Sequence, residues 1–259
     1  MYRIFSFTLA VATIMLAGLS ADGAFAASSA LDCSAPKEIV RLNASLPHTA
    51  RAIRTGKALV IVAVGSSSTE GTGSSDARHT YPARLAQELA LRWPKLSIRV
   101  INSGIRGETA AEMLARFGSD VLAHQPHLVI WQAGSNTLLQ GLALKHYVDT
   151  VRQGISRLKS AQADVILMNP QFAPMVLAEP AHRQMIDATR ALANDLKVGL
   201  FRRFAVMRHW VTSGSYRMAD IISHDHLHMN DASYSCIAKL LADSVSVAAR
   251  NGNKAPASP

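Results

Sequence analysis

ALVIVAVGSSS, residues 58–68, decides the fold class. Its first seven residues are all apolar, and Gly56 and Gly65 bound the run. An apolar run of this length without polar alternation is typical of a strand buried on both faces, as in a parallel sheet. Four further strand candidates follow along the chain, at residues 97–101, 127–133, 163–168 and 198–201.

Helical patterns separate these strands, and they lie at residues 82–92, 108–117, 145–160 and 179–196, with two more at 204–211 and 231–249. Strands that alternate with helices imply right-handed crossovers and a three-layer α/β/α sandwich. With five strands we expect a flavodoxin-like parallel sheet in the order 2-1-3-4-5, which places Ser67 at the switch point beside strand one. A chain of 259 residues is long enough for one such domain and short for two.

Polar segments follow three of the strands, and a fourth precedes the last helix; they are residues 65–68, 102–107, 134–136 and 225–228. Because the carboxyl ends of parallel strands share one edge of the sheet, we expect these segments to meet there. A serine hydroxyl needs a neighbouring base to become a nucleophile. Ser67 is the nucleophile candidate and His228 the base, with Asp225 three residues earlier to orient the imidazole.

A tetrahedral intermediate needs hydrogen-bond donors for its oxyanion. The backbone N–H groups of Ser67 and Gly107 and the side-chain amide of Asn136 are the candidates. Gly107 leaves room for a substrate to approach the backbone. Asn136 is equally compatible with a helix cap or a turn.

The four segments resemble the sequence blocks of the SGNH (GDSL-type) hydrolase superfamily, over residues 57–248. In VINSGIRGET, residues 100–109, the resemblance selects Gly107 rather than Gly104 as the block-two glycine. It implies a serine hydrolase that needs no metal or organic cofactor. The chain departs from the family pattern at Ser66 and Thr137, where the family often has Asp. Ser66 and Ser68 also compete with Ser67 as nucleophile candidates, but only Ser67 fits the family register.

Other kinds of site fit the sequence less well. Residues 65–73 are rich in Gly and Ser but lack the spacing of a phosphate-binding loop. His224 and His226 together with His228 leave a metal site as an alternative, although the first two suit a solvent-facing loop better. The net charge of +9 is scattered and carries no basic run interleaved with aromatic residues, so nucleic acid is a poor candidate partner. The charge suits an anionic envelope surface.

Composition divides the chain into four segments. Residues 1–26 read as a secretory signal peptide cleaved after Ala26, with an uncleaved membrane anchor as the alternative. Residues 27–56 read as an N-terminal extension, 57–250 as the hydrolase domain and 251–259 as a disordered tail. A periplasmic or secreted location would allow a Cys33–Cys236 disulfide, with two unpaired buried thiols as the alternative.

The sequence therefore predicts an exported serine esterase that forms an acyl-enzyme on Ser67. Small-molecule or polysaccharide esters are the expected substrates, and short acyl esters, including O-acetyl groups on polysaccharide, are favoured. An acyltransferase acting on carbohydrate is one alternative. A non-catalytic envelope or carbohydrate-binding protein that keeps the fold is the other.

Overall fold

The computed structural model describes residues 1–2 and 32–252. The chain divides into two units, Met1–Ala30 and Leu31–Pro259, and the fold below is that of the second. Nearly all of the predicted signal peptide and the last seven residues of the predicted tail lie outside the described residues. In the part that is described, no helix has the length and apolar character needed to cross a membrane.

Five strands form a single parallel sheet in the order β2-β1-β3-β4-β5, as predicted. The strands are β1 Leu59–Gly65, β2 Ile98–Gly104, β3 Leu128–Gln132, β4 Asp164–Met168 and β5 Gly199–Phe201. Every residue of β1, β3 and β4 is buried, which explains their uninterrupted apolar runs.

Strand β2 extends three residues beyond its predicted end. Residues 102–104 were expected to follow the strand, but they continue it because Gly104 pairs with Gly65 at the end of β1. The block-two loop therefore begins at Ile105, whose N–H donates to the Gly65 carbonyl at 3.0 Å.

The helices flank the sheet in two groups, giving the predicted three-layer sandwich. Among the described residues the α-helices are α1 Lys37–Val40, α2 Pro47–Thr55, α3 Ser67–Glu70, α4 Tyr81–Arg92, α5 Ala110–Ala115, α6 Phe117–Asp120, α7 Ser135–Leu139, α8 Leu144–Ser160, α9 Pro174–Ala178, α10 His182–Asp195, α11 Arg203–Thr212, α12 Met218–Ile221 and α13 Asp231–Gly252. Helix α13 packs on α4 and α2, while α8 packs on α5 and α10.

Three helical predictions need correction. Between the strand predicted from residue 58 and the helix predicted at 82–92, where no helix is predicted, the structure has the one-turn helix α3. The helix predicted over residues 179–196 is α10, which begins only at His182, and a separate short helix, α9, precedes it at Pro174–Ala178. Pro180 lies in the break between them, and the residue before a proline is disfavoured in helical conformation. Helix α13 continues through Gly252, so the first two residues of the predicted tail are helical.

Cys33 and Cys236 form a disulfide, as one of the two sequence alternatives predicted, and their Cα atoms lie 4.9 Å apart. The bond joins the N-terminal segment to α13. Hydrogen bonds also hold this segment to the domain: for example, Trp210 Nε1 donates to Ser34 O at 2.9 Å, and Ser244 Oγ donates to Val40 O at 2.7 Å.

Candidate active site

Ser67, His228 and Asp225 form a continuous chain of hydrogen bonds at the carboxyl edge of the sheet. His228 Nε2 lies 2.7 Å from Ser67 Oγ, and His228 Nδ1 lies 2.5 Å from Asp225 Oδ2. A neutral imidazole that donates from Nδ1 to the carboxylate carries a lone pair on Nε2. That nitrogen can accept the proton of the serine hydroxyl, so the arrangement suits general-base activation of Ser67.

Asp225 is held by four hydrogen bonds in a tight loop. Its carboxylate accepts from Ser223 Oγ at 2.7 Å, from the backbone N–H groups of Leu227 and His228 at 3.0 and 2.9 Å, and from the imidazole. Burial by itself raises the pKa of Asp225, but hydrogen bonds led by the His228 N–H lower that pKa well below its usual range. Asp225 is therefore ionised at neutral pH. His226, with φ of 60°, turns the chain so that a three-residue gap brings the pair together.

Only Ser67 of the three consecutive serines contacts the imidazole. Ser66 donates from Oγ to Gln132 Oε1 at 3.2 Å, and Ser68 donates to Gln171 Oε1 at 3.5 Å. Both are almost completely buried, whereas Ser67 keeps 9% of its surface exposed. The geometry thus favours Ser67 over its neighbours, in agreement with the family register.

Ser67 is the first residue of α3, directly after β1. The first N–H groups of a helix have no partner within it, so the Ser67 N–H is free of intrahelical bonding. The helix ends after one turn at Gly71, which has φ of 116°. This strand-turn-helix arrangement aims both the hydroxyl and the N–H of Ser67 at the sheet edge.

Asn136 lies in the first turn of α7, and its side chain reaches the block-two loop. Its Nδ2 donates to Glu108 O at 2.8 Å, next to Gly107. The neighbouring Gln140 donates from Nε2 to Gly107 O at 3.2 Å. An amide NH₂ carries two donors, and the contact with Glu108 occupies one of them. These two contacts hold the side chain of Asn136 beside Gly107, so two of the predicted oxyanion donors lie close together. The residue that caps α7 is Gly134 and not Asn136.

The two block-two glycines serve different purposes. A Cβ on Gly104 would lie 2.0 Å from the backbone nitrogen of Glu70, so this glycine lets β2 approach α3. Gly107 has φ of +80°, and a Cβ there would meet no atom within 4 Å. Gly107 therefore owes its identity to backbone conformation, and the space beside it is open.

A buried glutamine links three of the four sequence blocks. Gln171, which follows β4, donates from Nε2 to Leu227 O at 3.1 Å, in the residue before His228. Its Oε1 accepts from Ser135 Oγ at 3.2 Å, from Ser68 Oγ at 3.5 Å and from Arg203 Nη2 at 2.8 Å. We call these contacts the Gln171 network. In the sequence, Gln171 is a polar residue three positions beyond the strand predicted at 163–168.

Arg203 supplies a fully buried positive charge to this network. Its Nε donates to Asn169 O at 3.1 Å, and no carboxylate pairs with it among residues 32–252. Burial lowers the pKa of Arg203 to about 10, so the guanidinium stays charged at neutral pH. Its signal in the sequence is a charged residue two positions after β5, but burial of that charge could not be inferred from the sequence.

Comparisons with known proteins agree with this geometry. A family model described as the non-GDSL lipase-like family matches residues 32–251. The chain belongs to this family. The match confirms the predicted resemblance to SGNH (GDSL-type) hydrolases at the level of the superfamily.

Several curated relatives are similar to parts of this lipase-like domain. An acetylxylan esterase of Geobacillus stearothermophilus is 33% identical over 132 residues, which are 47% of this chain and 60% of that protein. An arylesterase of Vibrio mimicus is 28% identical over 138 residues, 49% of this chain and 68% of that protein. Thioesterase 1/protease 1/lysophospholipase L1 of Escherichia coli (strain K12) is 32% identical over 83 residues, 29% of this chain and 40% of that protein.

Solved structures share the fold. A two-domain esterase active on acetylated mannans superposes with a TM-score of 0.71 at 20% identity, covering 85% of this chain and 59% of that one. The chain thus spans about three fifths of the acetylxylan esterase and of the mannan esterase.

The departures from the superfamily pattern have a structural explanation at Ser66. Gln132 Oε1 accepts three hydrogen bonds, from Ser66 N at 3.0 Å, Ser66 Oγ at 3.2 Å and Thr69 Oγ1 at 3.1 Å. A hydroxyl at position 66 donates to this oxygen, whereas a carboxylate would face it as a second acceptor. Thr137 is buried within α7, and nothing in its contacts explains the threonine.

Other polar residues near the site are exposed to solvent. Arg106 Nε lies 3.1 Å from Glu70 Oε2 in an exposed ion pair beside the ends of β1 and β2. His224 and His226 are exposed, as the loop interpretation expected. Within the described part of the chain, no three His, Cys, Asp or Glu side chains are grouped to hold a metal ion.

Proposed function

We propose that this protein is a serine esterase whose acyl-enzyme forms on Ser67. The observation that carries the proposal is the hydrogen-bonded chain from Ser67 through His228 to Asp225. Esterase names among the relatives support the same reaction class.

In the proposed reaction, Ser67 Oγ attacks the ester carbonyl while His228 Nε2 takes the hydroxyl proton. Asp225 stabilises the imidazolium that results. The N–H groups of Ser67 and Gly107 and the second N–H of Asn136 would receive the oxyanion. His228 then gives the proton to the leaving alkoxide oxygen, and the alcohol departs.

Water completes the cycle on the same groups. It attacks the acyl-enzyme carbonyl while His228 accepts one of its protons, and that proton returns to Ser67 Oγ as the carboxylic acid leaves. Each turnover therefore consumes one ester and one water and forms one acid and one alcohol.

Replacement of the nucleophile tests the reaction. We expect Ser67→Ala to reduce kcat for p-nitrophenyl acetate by about 10⁴–10⁶-fold, with the melting temperature unchanged within a few degrees. Ser66→Ala and Ser68→Ala are the matched variants, and each should lose less than about tenfold because neither touches the imidazole. Hydrolysis that survives Ser67→Ala but disappears in either neighbour would reject the assignment.

The substrate class proposed is O-acetyl esters on polysaccharide. The acetylxylan and acetylated-mannan activities belong to the similar proteins named above and support this choice. Release of acetate from acetylated xylan or mannan, measured against a long-chain p-nitrophenyl ester, tests it. Acetyl groups found on an added sugar instead of free acetate would indicate the transferase alternative.

We further propose that the protein is exported. The predicted signal at residues 1–26 and the Cys33–Cys236 disulfide support an oxidising compartment. Mass spectrometry of the protein purified from its native host should find residue 27 at the amino terminus. An intact amino terminus on a protein from the cytosol would contradict this.

A further inference from the structure

A cavity lies at the carboxyl ends of β4 and β5, and none of the residues that line it is Ser67, His228 or Asp225. Its volume is about 360 Å³. Asn169 and Phe172 reach it from the segment after β4, Arg202 from the residue after β5, and α10 and α11 supply most of the remaining wall. It therefore shares the sheet edge on which the proposed reaction takes place.

Four arginines line this cavity, and a single carboxylate accompanies them. The arginines are Arg183, Arg190, Arg202 and Arg208. Asp187 is the carboxylate, and it is occupied by Arg190 Nη2 at 2.6 Å. Neither Arg183 nor Arg208 has an ion pair with any residue in the described range 32–252.

The positive charges in the cavity act on one another. Burial lowers the pKa of Arg202, and the charge of Arg190 lowers it further. Arg202 is half-buried, and its Nε donates to the backbone carbonyl of Ile39 at 3.0 Å. No carboxylate within residues 32–252 forms an ion pair with Arg202. An anion in the cavity would relieve this repulsion, and guanidinium groups match carboxylates with paired hydrogen bonds.

The other wall of the cavity is apolar and partly aromatic. Phe172 and Phe204 meet edge to face with ring centroids 5.2 Å apart, and Leu177 and Ile186 adjoin them. A sugar ring has apolar C–H faces that pack on such a surface while its acidic group reaches the arginines. A simple inorganic anion would leave this wall unused.

The apolar wall is directly connected to the catalytic loop. Phe172 follows Gln171, whose side chain binds the carbonyl of Leu227. Within α9, which also carries Leu177, the N–H of Met175 donates to His226 O at 3.2 Å. A polymer whose ester lies at Ser67 therefore has the cavity as a neighbouring site for another of its sugar units.

We propose that this cavity binds a carboxylate-bearing sugar unit of an acidic, O-acetylated polysaccharide. The proposal rests on the proposed esterase function, and it narrows the substrate from polysaccharide esters in general to acidic ones. The net charge of +9 favours the approach of such a polymer, and the cavity supplies its specific recognition.

Binding to a catalytically inactive protein tests the proposal apart from turnover. Tetragalacturonate is titrated calorimetrically into protein carrying Ser67→Ala, with neutral xylotetraose as the matched ligand. We expect binding of the acidic tetramer only, weakening as salt is raised. Adding Arg183→Gln and Arg208→Gln should raise Kd by about tenfold or more, since each guanidinium lost removes a charge-assisted contact.

The matched control removes the same charge elsewhere. Lys95→Gln with Arg99→Gln also lowers the net charge by two, and these exposed residues lie beside and within β2, at the other edge of the sheet. This pair should leave Kd for tetragalacturonate nearly unchanged. Equal weakening by both pairs, equal binding of xylotetraose or no binding at all would overturn the proposal.

An anionic membrane is the competing ligand. Vesicles of phosphatidylglycerol that bind through Arg183 and Arg208, while tetragalacturonate does not bind, would also overturn it. These outcomes are independent of the esterase test. If tetragalacturonate does not bind but the wild type hydrolyses p-nitrophenyl acetate, only the acidic-sugar site is rejected. If Ser67→Ala still hydrolyses p-nitrophenyl acetate, the nucleophile assignment is rejected and the binding result is unaffected.

Discussion

The two ends of the parallel sheet each place an aspartate near a histidine, yet they hold the two carboxyl groups in opposite ways. At the amino end, Asp164 opens β4 and accepts from the Thr49 N–H at 2.7 Å. Burial raises the pKa of Asp164, and its hydrogen bonds offset only part of that effect. At the carboxyl end, the hydrogen bonds of Asp225 outweigh burial and lower its pKa.

The histidines at the two ends differ in their hydrogen-bond partners. His127 at the amino end lies close enough to Asp164 for their charges to interact, but its Nδ1 accepts from the Val60 N–H at 3.2 Å. This ring nitrogen therefore helps to hold β1. His228 at the carboxyl end is hydrogen-bonded to Asp225 on one side and to Ser67 on the other. Of these two imidazoles, only that of His228 links a carboxylate to a hydroxyl, which is the arrangement that the proposed reaction requires. The amino-end contacts of Asp164 and His127 instead hold Thr49 and β1 in place.

The largest expected difference comes from removing the two carboxylates separately. Asp225→Ala should lower kcat for p-nitrophenyl acetate by about 10⁴-fold, because the imidazole loses its orientation and its charge partner. Asp164→Ala should instead lower the free energy of unfolding by about 1–3 kcal/mol, since the buried Thr49 N–H loses its acceptor, and kcat of the folded protein should remain unchanged. Steady-state kinetics and urea unfolding of both variants make the test. A large loss of kcat in Asp164→Ala would break the comparison.

The sequence indicated that Ser67, Asp225 and His228 meet at the carboxyl end of the sheet because the signals for these residues are local. Glycine and serine follow the buried run of β1, and Asp225 lies three residues before His228, a spacing that one tight loop can close. The sheet order followed from the number of strands and their alternation with helices. The apolar runs located every strand, with each boundary within three residues of its observed position.

The parts that the sequence did not predict depend on distant contacts. Gln171 binds residues 36, 56 and 103 positions away, and nothing in a loop glutamine specifies such partners. Arg203 looks like an ordinary surface charge until the fold encloses it. Asp164 lies inside a predicted strand, and nothing local indicates its contact with Thr49, which is 115 residues away. Side-chain networks of this kind appear only when the whole chain is folded.

The next effect in size concerns the Gln171 network at the carboxyl end. Gln171→Ala should lower kcat by up to about 10²-fold, because the backbone before His228 and the turn before Asn136 lose their shared anchor. KM for p-nitrophenyl acetate should stay the same, since Gln171 is 1% exposed and does not reach a substrate. Gln171→Glu keeps acceptor oxygens for Arg203 and Ser135 but loses the donor to Leu227 O, so it should fall between the wild type and Gln171→Ala.

A purely structural role for Gln171 would give a different pattern. In that case the melting temperature would fall while kcat of the folded fraction kept its wild-type value. Kinetics normalised to the folded fraction, measured well below the melting temperature, separates the two outcomes. A loss of kcat without a loss of stability would show that the Gln171 network positions Ser67, His228 and Asp225. A loss of stability alone would show that the network only supports the fold.

The smallest effect is the dependence of stability on pH, and it compares the two ends most directly. The pKa of Asp225 is lowered by folding, so its stabilising contribution is complete above the unfolded pKa of about 3.9 and is lost as the pH falls through the folded value. The pKa of Asp164 is raised, so ionisation penalises the fold and the penalty disappears as the pH falls through the raised value. The stability gap between wild type and Asp225→Ala should therefore narrow on going from pH 7 to pH 3.5, while the gap for Asp164→Ala should widen. Urea midpoints of the three proteins, measured between pH 7 and pH 3.5, give both stability differences. If the two differences change in the same direction with pH, the two ends of the sheet hold their carboxyl groups alike.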